Sequence, residues 1–404
     1  MLNGANTGFM LLAAALVMLM TPGLAFFYGG LVGRSNTLTI MIQSFASMGI
    51  TTVMWWLVGY SLCFSGGSGG IFGNFHFAFL RHVGVNTMYQ PSGIPLSVLI
   101  VYQMMFAIIT PALITGAFTN RVSFKAYLIF LVVWQVAVYY PFVHMFWGNG
   151  LLAQWGARDF AGGIVVHASA GFAALASVLY VGKRKFVDTA HNIPFIALGT
   201  GLLWFGWYGF NAGSELKVDN ITALAFLNTD IAASFAAVTW LFVEWWFAKK
   251  PHFVGLLTGA VAGLATITPA AGYVPIYASP VIGIAAGGVC YGAIQLKNRL
   301  HWDDALDVWG VHGVGGFVGI ILLGVFAGEH TNALGGIGLI HGSGSFFGKQ
   351  VAAAVGCSLY AFLFTYAALR VIDLITPVRV GEEAERGLDE AMHGESAYGL
   401  EPVM

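Results

Sequence analysis

The chain reads as an all-α integral membrane protein of eleven transmembrane helices, built as a five-plus-five inverted repeat plus one extra helix. Three observations predict this. Of 404 residues, 58% are hydrophobic and only 9% charged, whereas a soluble domain carries about 25% charged residues. The apolar runs reach the roughly 20 residues that a helix needs to cross the hydrocarbon core, and they lack the short alternating segments of an outer-membrane barrel. Two histidines lie inside such runs, His167 in H-A-S-A-G-F and His312 in H-G-V-G-G-F, each followed by Gly at +4 and Phe at +5. An imidazole at membrane depth is costly and marks a functional site. The shared context suggests one site built twice, from two halves of the chain.

The predicted spans are 6–30, 38–62, 94–118, 125–147, 160–181, 193–211, 221–247, 254–270, 276–297, 306–327 and 349–375. The first begins without a positive stretch or an A-x-A-like site, so it reads as a span and not a cleaved leader. Between the second and third lies the longest outer loop, 63–93, whose S-G-G-S-G-G run suits a flexible cap or vestibule wall. The fifth and tenth carry the two histidines. The seventh contains Asp230 and Glu244. Glu244 is expected to reach interfacial water or a base, while the deeper Asp230 needs a partner or a water-filled space. Local echoes pair the halves: F-Y-G at 27–29 with W-Y-G at 207–209, and I-T-P-A at 109–112 with 267–270. Inverted repeats place their sites near the bilayer midplane. The 54 glycines suit close helix packing in lipid. The expected organisation is a membrane unit over 1–375, with repeats 6–181 and 193–327 and an extra helix 349–375, followed by a regulatory tail, 376–404. The tail holds nine of the 35 formal charges, Glu382, Glu383 and Glu385 among them.

Loop charge sets the orientation. With the N-terminus outside, Arg34, Arg121, Lys125, Lys183, Arg184, Lys185, Lys249, Lys250, Lys297, Arg299, Arg370, Arg379 and Arg386 are cytoplasmic. Arg81, Arg158, Lys217 and Lys349 are outside. This split of 13 to 4 supports the count of eleven and, for a protein of the cell membrane, places the C-terminus in the cytoplasm. The net charge of −1 gives no reason to expect nucleic acid. Cys63, Cys290 and Cys357 are odd in number and lack framework spacing, so they read as small apolar residues without disulfide or metal.

His167 lies eight residues after Asp159, about 12 Å along a helix. Asp159 reads as an N-cap of the fifth span, and Asp307 as a cap candidate for the tenth. Two histidines are too few for zinc. They can ligate a haem between helices, or contact each other as donor and acceptor. Trp147 ends the fourth span, near His144, and Phe210 ends the sixth, with Ser214 beyond it. Phe106 lies in the third span, one turn after Tyr102. Each aromatic fits ordinary belt or core packing; together they fit a cage for a cation, with a hydroxyl as acceptor.

Four stretches resemble the ammonium transporter family (Amt/Mep, distantly related to Rhesus proteins). They are D-F-A-G-G-I-V-V-H-A-S-A-G at 159–171, W-F-G-W-Y-G-F-N-A-G-S at 204–214, D-V-W-G-V-H-G at 307–313 and G-L-D-E-A-M-H-G-E-S-A-Y at 387–398. The resemblance covers essentially the whole chain and implies the ammonium transporter fold. It implies recruitment of ammonium at Trp147, Phe106 and Ser214, with Asp159 supporting that site. Phe106 and Phe210 would form a gate, and His167 and His312 a twin-histidine pore. It further implies a homotrimer and a cytoplasmic PII-type signalling partner, with Gly387, Asp389, His393, Gly394, Glu395 and Tyr398 in the matching tail. No enzyme activity, cofactor or metal is implied. Two departures stand out: Asp230, where a neutral residue is expected, and Tyr102, where Phe is common.

Physics narrows the mechanism. Taking a bare ion into a low-dielectric interior costs on the order of 20 kcal/mol before relaxation, and a desolvated cation–π contact returns only about 2 kcal/mol or more. The expectation is that ammonium sheds its proton and crosses as ammonia. The proton would travel by a separate path, making uptake electrogenic. A neutral gas channel, a sensor and a bis-His haem protein remain the rival readings. A tail of 29 residues leaves no room for a fused output domain.

Overall fold

The computed structural model describes residues 1–398 except Ser68. Among the described residues, ten helices are long and apolar enough to cross a membrane: α1 (Gly4–Leu31), α2 (Arg34–Phe64), α3 (Leu96–Phe118), α4 (Phe124–Trp155), α5 (Gly163–Val181), α6 (Ile193–Glu215), α7 (Asn220–Ala248), α9 (Ala278–Arg299), α10 (Trp309–Phe326) and α11 (Gly344–Asp373). The eleventh, α8 (Phe253–Ile267), has 15 residues. It stops short of the expected 270 because Pro269 removes a donor and disfavours helical geometry just before it. The segment after it, Thr268–Ala271, is fully buried. The loop after α2 carries a small hairpin, Met88–Tyr89 paired with Ile94–Pro95.

The two halves meet where α5 crosses α10, and there the repeated H-x3-G-F pattern acquires a physical meaning. A Cβ on Gly171 would fall 2.1 Å from the Cα of Gly313 and 3.0 Å from the carbonyl carbon of His312. A Cβ on Gly316 would fall 2.7 Å from the Cβ of His167. Each +4 glycine thus makes room for the turn that carries the opposite histidine. The +5 residues, Phe172 and Phe317, face each other with ring centroids 6.3 Å apart. Both histidines also lie in widened π-type turns, Gly163–Ala168 and Trp309–Gly313, a helical irregularity frequent at functional sites.

On the face opposite the N-terminus, the tail folds back onto the helix ends. The α-helical part of α2 begins at Thr37, after a 3-10 turn over Arg34–Asn36, and Asp389 caps it from 350 residues away, accepting from the backbone N–H of Leu38 (3.0 Å) and Thr39 (2.8 Å) and from the Thr39 hydroxyl (2.9 Å). Gly387 sits over Ser35. His393 lies edge-on to Phe124, Gly394 takes a left-handed φ of +64°, and the Glu395 amide reaches the Asp389 carbonyl at 3.4 Å. The Tyr398 hydroxyl is 2.7 Å from Nε2 of His191. Asn36 links the tail to the loop before α6: its carbonyl accepts from Leu388 N–H at 3.0 Å, and its amide donates to Asp188 at 2.9 Å.

Candidate functional site

A cavity of about 450 Å³ opens on the N-terminal face, lined by Phe106, Trp147, Asp159 and Ser214 together with Tyr89, Gln103 and Arg158. The structure therefore brings the four sequence-predicted recruitment residues to one place. Phe106 and Phe210 close its floor, with ring centroids 4.2 Å apart at 37°. Trp147 stands edge-on to Phe106 at 5.7 Å.

Asp159 organises this region from behind. It is 4% exposed and accepts four backbone N–H bonds, from Gly162, Gly163, Ile164 and Val165, at 2.7–3.1 Å. That saturates the start of α5, so the N-cap reading holds. Gly162 takes φ +123° to turn the chain there, a value that favours glycine. The Asp159 carbonyl also accepts from Trp147 Nε1 at 2.9 Å, fixing the indole. Gln350 of α11 clamps the preceding residue, exchanging two 2.8 Å bonds with the Arg158 backbone.

The cap of α10 is Asp304 and not Asp307. Asp304 accepts from Val308 N–H (3.1 Å) and Trp309 N–H (2.7 Å). Asp307 sits at φ +59°, outside the helix, and pairs with Lys297 at 2.6 Å. Asp304 precedes His312 by eight residues, the same spacing as Asp159 to His167. That spacing was the signal available in the sequence. Burial raises the Asp304 carboxyl to about 6. Burial also acts to raise its neighbour Asp303, but Arg184 and Arg121 outweigh it and hold that group down at about 2.

Below the Phe pair lies a void of only about 10 Å³, walled by apolar side chains such as Leu24, Ile109, Leu113 and Val261, and touching Phe210, His167 and His312. The Nδ1 atoms of the two imidazoles are 3.3 Å apart, and the rings are nearly parallel, 16° between planes. His167 stacks on Trp207 at 5.3 Å, and its Nε2 is sealed without a partner among the described residues. Rings in direct contact leave no space for a porphyrin between them. His312 also borders a second vestibule of about 240 Å³ on the tail face, lined by Tyr28, Asp188, Asp307 and Val311.

Other flagged residues fall outside this line. Asp230 accepts from Tyr208 (2.5 Å) and Trp204 (3.2 Å) on α6 and lines neither vestibule nor the void. Glu244 meets the base expected of it, His252, at 3.0 Å. His144 is 2.9 Å from the Cys63 carbonyl. The Tyr102 hydroxyl lies 3.0 Å from the carbonyls of Gly209 and Phe210 and 3.3 Å from Ser214 Oγ. A phenylalanine could not tie down this end of α6.

A bundle of eleven apolar helices with a vestibule on each face and a constricted apolar passage between them is a membrane transport protein. The chain belongs to the ammonium transporter family, whose model, described as Ammonium Transporter Family, matches residues 8–398. It is 45% identical to the ammonium transporter of Bacillus subtilis (strain 168), over 97% of this chain and 98% of that one. It is 44% identical to the ammonium transporter of Aquifex aeolicus (strain VF5), over 99% and 94%. The crystal structure of Candida albicans Mep2 superimposes with a TM-score of 0.89 at 34% identity, covering 100% of this chain and 94% of that one.

Proposed function

We propose that the protein takes up ammonium electrogenically: it recruits the cation on the N-terminal face, removes its proton, and passes ammonia between the two histidines. The observation that carries this reading is the sequence of spaces. A roomy vestibule with polar groups ends at an aromatic gate, and beyond it only a void of about 10 Å³ remains. A cavity of that order holds about one water-sized molecule. An ion there would lose its hydration, whereas a neutral amine needs only a few hydrogen bonds.

In this reading Trp147, Phe106 and Ser214 hold ammonium. The Ser214 hydroxyl donates to the Phe210 carbonyl at 2.8 Å, which leaves its oxygen free to accept. Asp159 fixes Trp147 and lends negative charge. Phe106 and Phe210 are the gate, and His167 and His312 solvate ammonia in transit. Methylammonium fits the same donor chemistry. The N-terminal face is the outer one, following the lysine and arginine asymmetry, and the tail face is cytoplasmic. The membrane unit ends near 375, and the tail beyond it is regulatory. A homotrimer with one pathway per subunit, and a PII-type partner on the tail face, complete the proposal.

The test is ammonium-dependent current in proteoliposomes from wild type and both His→Ala variants. Current in wild type and its loss in the variants support the reading. Uptake of ammonia without any current defeats the electrogenic mechanism in favour of a neutral channel. A variant truncated after Thr376 should keep the pathway and lose PII binding; undiminished PII binding would remove that role from the tail.

A further inference from the structure

We propose that Gln103 is an additional ligand-contacting residue of the outer site, its side-chain oxygen accepting a hydrogen bond from the bound protonated amine. This rests on the recruitment reading above. Gln103 is on α3, three residues before Phe106, so the two side chains share a helix face. It lines the same 450 Å³ vestibule as Trp147, Asp159 and Ser214.

The residue is 8% exposed, yet its amide makes no hydrogen bond to any described residue. Neither amide atom is among the sealed, unpartnered polar atoms of the protein. Both amide atoms therefore keep some accessible surface, on a residue that lines the cavity. An amide with accessible surface and no partner among the described residues makes its hydrogen bonds to whatever fills the cavity. A leucine in the same wall would offer the cavity no acceptor. The arrangement makes sense if the cavity supplies the partner.

Ammonium has four N–H donors. The aromatic faces of Phe106 and Trp147 can attract its charge but accept hydrogen bonds poorly, and Ser214 offers one hydroxyl oxygen. Asp159 has both carboxylate oxygens committed to backbone N–H groups. A neutral carbonyl oxygen on the wall next to Phe106 supplies a second acceptor without pinning the cation in place. The terminal torsion of Gln is broad and two-fold, so the amide can turn its oxygen toward the ligand.

The experiment is ammonium-dependent current in proteoliposomes, read as half-saturating concentration and maximal current separately. The variants are Gln103→Leu, Gln103→Glu and Trp147→Leu. Loss of a hydrogen bond to a charged group predicts a rise in half-saturating ammonium on the order of tenfold for Gln103→Leu, about 1.4 kcal/mol. Its maximal current should be retained. Gln103→Glu keeps the acceptor and should stay at or below the wild-type half-saturation. If Gln103→Leu binds like wild type while Trp147→Leu is weakened, the proposal fails and the recruitment site stands. If both bind like wild type, the recruitment site itself is misplaced and the proposal goes with it. Equal weakening by Leu and Glu, or a loss of maximal current alone, assigns Gln103 to packing and overturns the proposal.

Discussion

Nδ1 of His167 lies 3.3 Å from Nδ1 of His312, in rings inclined by only 16°. One nitrogen of such a contact donates and the other accepts. Two imidazolium rings would set N–H against N–H, so the pair cannot hold two extra protons without coming apart. The contact joins the halves of the repeat, since one ring belongs to α5 and the other to α10.

His167→Ala and His312→Ala should each lower ammonium current by about tenfold or more, the effect of losing one hydrogen bond of roughly 1.4 kcal/mol to the permeant species. The oligomer should remain folded, because an Ala fits either position sterically. Wild-type uptake at matched protein amount would sink the role of the pair.

Gly171→Ala tests the crossing itself. Its Cβ would meet the backbone of Gly313, which cannot swing aside as a side chain can. Overpacking of this kind costs about 1–3 kcal/mol, occasionally more. A marked drop in melting temperature is expected, together with impaired current. Gly201→Ala, where nothing lies within 4 Å, is the control and should melt like wild type.

Asp230→Ala should leave the half-saturating ammonium concentration unchanged. The carboxylate serves Tyr208 and Trp204 and stands off the line of cavities. Stability should fall by about 1–3 kcal/mol as two donors lose their acceptor. A shifted half-saturation would instead put this acid in contact with the permeant ion.

Asp303 predicts an acid limit. The arginines hold its folded carboxyl at about 2, below the roughly 3.9 of an unfolded chain. A depressed carboxyl stabilises the fold above the unfolded value, and that contribution is lost as pH falls through the folded one. Melting temperature should therefore drop between about pH 4 and pH 2, less steeply in Asp303→Asn. Identical acid profiles for the two proteins would contradict the assignment.

Asp389→Ala should cost about 0.5–2 kcal/mol, the usual effect of removing an N-cap. The loss would appear as faster amide hydrogen exchange over Leu38–Met41, in the first α-helical turn of α2, with α5 and α10 unaffected. Unchanged exchange there would refute the cap.

The spans were legible because hydropathy is local and about 20 apolar residues admit few other fates. The twin histidines and Asp159 were legible because their cost at membrane depth marks them. Asp304 was missed because three aspartates within five residues compete for one cap, and nearness to the helix favoured Asp307. The eight-residue spacing from acid to histidine in the other half pointed to the right one. The partners of Asp230 and Tyr102 lie on another helix, beyond what linear spacing reports. Gln103 carries no motif. Its meaning comes from what its amide lacks, which only the packed molecule reveals.

With Phe106 and Phe210 in contact at 4.2 Å, the passage contains no continuous open bore. If the pair is the gate proposed above, each molecule carried would have to wait for two rings to part and close again. Flux should then level off at high ammonium, limited by how often the rings move and not by how many molecules arrive. In kinetic terms such a protein would behave as a turnstile with a turnover number, not as a hole with a diameter, and ammonium-dependent current that rises without saturation would count against it.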